Sequence, residues 1–150
     1  MQESPSPGNS RSLVLHASCV ALNRKGVLVT GASGRGKSTL ALELMSRGCV
    51  LVADDQTELH RKGERVLANA PRPLQGLIEA RGVGLLNASV SSNVPVAYVV
   101  DLDSTESMRL PDRHEVEILG CMLISLRNVP YPHFPCAILQ LLKEGRAEPK

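Results

Sequence analysis

Residues 31–38 have the types and spacing needed for chemistry on phosphate groups. They read G-x-x-x-x-G-K-S, the pattern of a phosphate-binding P-loop. The glycines let backbone N–H groups approach an anion without an obstructing Cβ atom. Lys37 would reach the β- and γ-phosphates of a nucleotide, and the Ser38 hydroxyl would hold Mg²⁺. The predicted nucleotide-binding residues are Gly31, Ala32, Ser33, Gly34, Arg35, Gly36, Lys37, Ser38 and Thr39.

The residues on either side of this loop favour a strand before it and a helix after it. Residues 26–30 form a short apolar run with β-branched side chains, and residues 37–47 place Leu40, Ala41 and Leu44 at helical spacing. A helix N-terminus adds unpaired donors and a partial positive charge, both of which suit an anion. The alternative is a glycine-rich turn that contains Lys-Ser by chance.

An acidic pair follows the next apolar segment. Residues 49–53 predict a wholly buried parallel strand, which ends at Asp54 and Asp55. Ligands bind at the carboxyl ends of strands in open α/β sheets. A carboxylate at this position can contact Mg²⁺ or accept a proton from an incoming hydroxyl. The alternative is two solvated acids in a turn.

Residues 78–87 combine charged side chains and glycines in an otherwise apolar segment. Glu79 and Arg81 stand beside Gly82 and Gly84. Isolated glycines in such a segment indicate close backbone approach or a sharp bend. Taken alone, the segment is equally compatible with a structural loop that carries a surface ion pair.

Composition limits the classes of function. The chain has 150 residues, which suggests one domain, and its 43% hydrophobic content is enough for a core. Aromatic residues make up only 2% and the net charge is +2, which argues against a nucleic-acid partner. No apolar run reaches the roughly 18 residues of a membrane span, and the N-terminus lacks the apolar core of a signal peptide.

The cysteines carry no metal-binding or redox spacing. Cys19, Cys49, Cys121 and Cys136 are far apart, with no C-x-x-C pair. We expect all four to be small buried hydrophobes in a reducing compartment, which makes the cytoplasm the predicted location.

The order of predicted elements gives a single α/β P-loop domain, a mixed sheet with flanking helices and the P-loop exposed at one edge. Residues 1–11 predict a disordered tail, residues 12–143 the folded domain and residues 144–150 a polar tail. Apart from the segments above, the predictions are strands at 12–22 in two pieces around His16, a hairpin at 56–70, strands at 94–102, 112–120 and 121–126, a loop at 103–111 and a helix at 136–143.

Three segments, taken together, resemble one family. LHAS at 15–18, GVLVTGASGRGKSTLALELMSRGCVLVADD at 26–55 and IEARGVGLLN at 78–87 are similar in order and spacing to HPr kinase/phosphorylase. The resemblance covers residues 12–90 well and the remainder loosely. It implies the fold of that family's C-terminal catalytic domain. Only 15 residues precede His16, so we expect a short form that consists of the catalytic domain alone.

The resemblance also implies an activity. Members of the family use ATP and Mg²⁺ to phosphorylate a serine of the phosphocarrier protein HPr. They also remove that phosphate with inorganic phosphate and release pyrophosphate, and they typically assemble as hexamers. We therefore expect HPr as the partner, a homo-oligomer, and neither nucleic acid nor membrane.

The same resemblance assigns roles to individual residues. Asp55 matches the proton acceptor for the serine hydroxyl and the proton donor in reverse, and His16 matches an active-site histidine beside it. Lys37 binds phosphate, and Arg113 matches a later active-site arginine. The metal ligands are Ser38 and Glu79. The family's signature loop matches Ile78, Glu79, Ala80, Arg81, Gly82, Val83, Gly84, Leu85, Leu86 and Asn87.

The chain departs from the family pattern in two places. Thr39 stands where the family usually has Glu, and residues 129–135 replace a Pro-Gly-Arg-Asn segment associated with dephosphorylation. Two other functions remain open: a small-molecule kinase on the same scaffold, and a regulatory module that senses ATP without catalysis. The joint presence of Asp55, His16 and Glu79 favours catalysis.

Overall fold

The secondary structure is seen in a computed structural model that describes residues 11–147. Residues 1–10 and 148–150 of the two predicted tails therefore lie outside the described residues. The described strands are β1 Ser12–Leu15, β2 Ala17–Leu22, β3 Lys25–Thr30, β4 Val50–Ala53, β5 Thr57–Lys62, β6 Arg65–Asn69, β7 Leu77–Ala80, β8 Gly84–Asn87, β9 Val94–Thr105, β10 His114–Ile118 and β11 Cys121–Asn128. The described helices are α1 Lys37–Ser46, α2 Phe134–Glu144 and a short 3-10 helix, Arg72–Leu74.

One mixed, curled sheet contains most of these strands. Its order is β1-β5-β6-β9-β3-β2-β4, and β11 pairs with β9 and in turn with β10. Strand β9 runs parallel to both β3 and β11, whereas the other pairings between these strands are antiparallel. The predicted fold class, a mixed sheet with flanking helices, is confirmed.

Side chains along the strands point alternately to the two faces of the sheet, and this alternation divides the buried core into two clusters. Val27 and Val29 of β3 join a cluster that includes buried residues of both helices, whereas Leu28 faces a second cluster formed by the strands. Successive side chains of a strand point to opposite faces of the sheet, which explains this division. Strand β3 lies between β9 and β2, so the glycine loop is exposed at the end of an interior strand.

The prediction of a wholly buried parallel strand at 49–53 is wrong. Strand β4 lies at one lateral end of the sheet, pairs antiparallel with β2, and leaves Val50 40% exposed. A continuous apolar run does not reveal strand direction, because direction depends on a distant partner.

The loop prediction for 103–111 is also wrong at its start, since β9 extends to Thr105, which pairs with Asn128 of β11.

The cysteine prediction holds for three residues. Cys19, Cys49 and Cys121 are buried, and burial raises the pKa of the Cys19 thiol to about 12. Cys136 is exposed. It lies on the side of α2 opposite Ile138, which faces the core, because helical spacing turns neighbouring positions to different faces. No helix in the described residues is long and apolar enough to cross a membrane.

Helix α2 stabilises the fold through its buried face. Ile138 is almost completely buried in the cluster that also contains Leu44 of α1. We expect Ile138→Ala to lower the free energy of unfolding by about 2–5 kcal/mol, because it leaves a cavity between the helices and the sheet. Urea denaturation measures the loss. Met122→Ala, at an exposed position on β11, is the control and should change stability by less than about 0.5 kcal/mol.

Candidate functional site

The glycine loop joins β3 to α1 and leaves several backbone donors unpaired. Gly34 and Gly36 have φ values of +85° and +95°, a left-handed backbone that glycine adopts without strain. Among residues 11–147, the amides of Ser33, Gly34 and Gly36 have no hydrogen-bond acceptor. These three residues line a cleft of about 390 Å³. Such an arrangement of free N–H groups at a helix N-terminus is suited to bind an anion.

Lys37 is held close to the loop that precedes it. Its Nζ atom donates hydrogen bonds to the carbonyl oxygens of Gly31, at 2.7 Å, and Ala32, at 3.1 Å. The Lys37 side chain also lines the cleft. The ammonium charge is thus positioned beside the free amides, where it adds to the attraction for a phosphate group.

Asp54 connects three elements of the site. Its Oδ1 atom accepts hydrogen bonds from the hydroxyls of Ser18 and Ser38, each at 2.7 Å, and its Oδ2 atom accepts one from the Glu79 amide at 3.1 Å. The residue is only 6% exposed. Sequence reasoning identified the acidic pair but assigned no role to Asp54. One sequence signal could have identified Asp54: it is the first acid after the apolar strand that follows the glycine loop.

Asp55 occupies the opposite environment. Its carboxylate is 70% exposed and lines the cleft, and its Oδ1 atom lies 4.0 Å from Nδ1 of His16, which is itself 77% exposed. The φ angle of Asp55 is +69°, in the left-handed region that Asp adopts more readily than most other residues with a Cβ atom. The exposed carboxylate is therefore free to accept a proton from an incoming group.

Residues 77–87 form a hairpin beside the cleft. Strands β7 and β8 are antiparallel, with Leu77 opposite Asn87 at one end and Ala80 opposite Gly84 at the other. Residues 81–83 make the turn between them, so the predicted sharp bend is confirmed. Ile78 is buried in the core, whereas Glu79 and Arg81 line the cleft.

Arg113 lies elsewhere. It lines a separate cavity of about 610 Å³ with Thr30 and Asp101, and its Nε atom is 3.7 Å from Oε2 of Glu115. The structure therefore brings the predicted residues Lys37, Ser38, Asp55 and Glu79 into one cleft, places His16 beside it, and leaves Arg113 outside it.

The oxygen atoms around Asp54 fit a magnesium ion. Hydroxyl and carboxylate oxygens are the protein ligands that Mg²⁺ prefers, and it commonly takes only one or two of them together with phosphates and water. Ser38 and Asp54 already lie at hydrogen-bond distance, and Glu79 lines the same cleft. Within residues 11–147, no group of three or more His, Cys, Asp or Glu side chains could form a metal cage alone.

Ser18 supplies a hydrogen bond that can be tested directly. It is completely buried, and its hydroxyl donates to Asp54. We expect Ser18→Ala to lower the free energy of unfolding by about 1.5–3 kcal/mol, because a hydrogen bond to a charged group is lost. Ser46→Ala removes an exposed hydroxyl bonded to the Glu43 carbonyl and is the control. Equal effects of the two changes in urea denaturation would contradict the prediction.

Comparison with known proteins gives consistent matches. The family model described as HPr Serine kinase C-terminal domain matches residues 9–123. HPr kinase/phosphorylase of Alkaliphilus metalliredigens is 36% identical, over 91% of this chain and 47% of that protein. The Bacillus subtilis protein of the same name is 39% identical, over 69% of this chain and 36% of that protein. The chain thus spans less than half the length of these relatives.

A solved structure shows the same fold. The HPr(Ser) kinase/phosphatase from Coxiella burnetii superposes with a TM-score of 0.73 at 24% sequence identity. The match covers 87% of this chain and 94% of that chain. The mixed sheet and its two helices are therefore an arrangement already seen in a solved protein.

Proposed function

This chain belongs to the HPr serine kinase C-terminal domain family, and we propose that it transfers the γ-phosphate of ATP to a serine of the phosphocarrier protein HPr. One observation carries the proposal. A single cleft holds the unpaired loop amides, Lys37, the hydroxyl of Ser38 and the exposed carboxylate of Asp55. These are the groups that phosphoryl transfer to a hydroxyl requires, with residues 12–143 as the catalytic domain.

The loop and Lys37 bind and orient the phosphates in this proposal. The free amides of Ser33, Gly34 and Gly36 donate to phosphate oxygens, and the Lys37 ammonium neutralises part of their charge. Because these donors are already held by the loop and by α1, little reorganisation is needed when charge develops in the transition state. Phosphoryl transfer depends mostly on such positioning.

Asp55 and His16 face the acceptor. The Asp55 carboxylate orients the serine hydroxyl and accepts its proton as the new P–O bond forms. His16, 4.0 Å away, lies on the same exposed side of the cleft as this carboxylate. The high exposure of both side chains suits an acceptor serine that is delivered on the surface of another protein.

The metal site involves Ser38 and Glu79, with Asp54 fixing the Ser38 hydroxyl. When bound with the nucleotide, Mg²⁺ supplies positive charge to the β- and γ-phosphates. Asp54 also fixes the position of Glu79, since it accepts a hydrogen bond from the Glu79 amide.

The reverse reaction uses the same groups. Inorganic phosphate attacks the phosphorus of phosphoserine, the bond to the serine oxygen breaks, and protonated Asp55 returns the proton, so that pyrophosphate and serine form. Residues 129–135 lack the Pro-Gly-Arg-Asn segment associated with this direction. We therefore expect the kinase direction to be the faster one, which parallel assays with ATP and with inorganic phosphate would measure.

Transfer of labelled phosphate tests the proposal. We expect label from γ-labelled ATP to appear on purified HPr in the presence of Mg²⁺, and not on an HPr variant whose acceptor serine is alanine. Chelation of Mg²⁺ should abolish the transfer. Binding of ATP without transfer would contradict the protein-kinase proposal, and a screen of small acceptors would then separate a small-molecule kinase from an ATP sensor.

The proposed substrate also suggests the setting of the reaction. With HPr as the proposed acceptor we expect the protein in the cytoplasm, and the family resemblance favours a homo-oligomer. Sedimentation of the purified chain would measure its oligomeric state.

A further inference from the structure

One carboxylate contacts the phosphate loop at two points. The Oδ1 atom of Asp103 accepts a hydrogen bond from the Ala32 amide at 3.1 Å and lies 3.2 Å from Nε of Arg35. Ala32 is the second residue of the loop and Arg35 lies near its middle. Asp103 therefore bridges two parts of the loop from outside.

Asp103 is itself fixed by the sheet. It lies near the end of β9, where its amide donates to the carboxylate of Asp101 at 2.9 Å. The other carboxylate oxygen of Asp101 accepts a hydrogen bond from the Ser104 hydroxyl at 3.0 Å. Parallel pairing of Thr30 with Asp101 brings the end of β9 against the start of the loop.

The close approach is visible at Gly31. A Cβ atom at this position would lie 3.2 Å from Cβ of Leu102 and 3.5 Å from Oδ1 of Asp103, and the φ angle of Gly31 is +145°. Glycine is therefore favoured by its backbone conformation, and a side chain at this position would also press against Leu102. The loop and β9 form one packed unit rather than two neighbouring segments.

We propose that Asp103 and Arg35 form a clamp that holds the loop in its nucleotide-binding shape. Asp103 is thus a positioning residue for the proposed function, on which this inference rests. The clamp occupies the amide of Ala32 but leaves those of Ser33, Gly34 and Gly36 free for phosphate. The clamp therefore stabilises the conformation of the loop without occupying the amides that would bind phosphate.

In this proposal the clamp raises the fraction of molecules whose loop has the nucleotide-binding conformation. The side chains of Arg35 and Asp103 are 58% and 46% exposed, so the ion pair contributes little to overall stability. We expect its effect on the apparent dissociation constant for nucleotide. This constant is inversely proportional to the fraction of molecules whose loop has the nucleotide-binding conformation.

The sign of the change separates the clamp from a competing arrangement. If Asp103 instead held Arg35 away from the phosphates, removing the carboxylate would free the guanidinium and tighten nucleotide binding. A clamp predicts weaker binding. The two arrangements therefore give opposite results for the same substitution.

Nucleotide affinity is the first measurement. We expect Asp103→Ala to weaken binding of a fluorescent ATP analogue with Mg²⁺ by about 5- to 10-fold, with kcat at saturating ATP changed less than about twofold. Asp103→Asn, which keeps an acceptor for Ala32 but loses the charge facing Arg35, should give a smaller loss. Glu117→Ala, an exposed acid on β10, is the control. Unchanged or tighter binding in Asp103→Ala would overturn the clamp.

Amide hydrogen exchange without nucleotide is the second measurement. We expect faster exchange at Ala32 and Arg35, the two loop amides that are hydrogen-bonded, in Asp103→Ala, with exchange in the core of β3 unchanged. Unchanged exchange in the loop would overturn the clamp whatever the enzymatic result. If the wild type instead fails to phosphorylate HPr while the loop effect is present, the proposed function fails and the clamp stands.

Discussion

Replacement of Asp55 by asparagine is expected to lower phosphate transfer to HPr by about 10²- to 10⁴-fold, the usual contribution of a general base. The amide is nearly the same size as the carboxylate but cannot accept the serine proton. Asparagine also tolerates the left-handed backbone found at Asp55, so the variant should fold normally. Initial rates with labelled ATP, together with nucleotide affinity, measure the effect.

The affinity measurement distinguishes a base from a binding residue. We expect the Asp55→Asn variant to bind ATP about as well as the wild type, because the loop amides and Lys37 are untouched. Glu64→Gln, in the exposed turn between β5 and β6, is the matched control and should retain full activity. Transfer by Asp55→Asn at the wild-type rate would show that another group accepts the proton.

Replacement of Lys37 by alanine is expected to lower transfer by about 10²- to 10³-fold, as when one preorganised donor to the transition state is removed. The change removes the ammonium charge from the loop and also two hydrogen bonds, to the carbonyls of Gly31 and Ala32. We therefore expect weaker nucleotide binding as well as slower transfer, unlike the result for Asp55.

Two further variants separate charge from folding. Lys62→Ala, at an exposed position in β5, removes the same charge far from the loop in sequence and should leave transfer unchanged. Lys37→Arg retains the charge but cannot match the geometry of an ammonium group, and we expect it to restore little activity. Thermal unfolding confirms that each variant is folded. Unchanged transfer by Lys37→Ala would contradict the assignment of the phosphate loop.

Local spacing was sufficient to predict the elements around the loop. The apolar run before Gly31, the helical spacing after Lys37 and the turn at 81–83 are each set by residues within a few positions of one another. Such patterns depend on side-chain alternation and backbone freedom, which act over short distances. Strand β3 and helix α1 therefore match their predictions closely, and the bend predicted within 78–87 is found, whereas the two strands that flank it were not predicted.

The different environments of two adjacent acids, Asp54 and Asp55, could not be predicted from the local sequence. Asp54 and Asp55 are identical side chains at successive positions, and nothing in the sequence distinguishes a buried acid from an exposed one. The contacts of Asp54 come from Ser18, Ser38 and Glu79, which lie on three other elements. Only the folded chain decides which carboxylate is buried among hydrogen-bond donors and which one is exposed in the cleft.

The sequence by itself thus determined the strand and helix that flank the glycine loop, and the family. The tertiary structure decided that β4 pairs antiparallel with β2, that Asp54 links three elements, and that β9 brings Asp103 against the loop. The physical reason is the same in each case. Strand pairing and buried hydrogen bonds join residues that are distant along the chain, and their energies depend on the whole arrangement rather than on any local pattern.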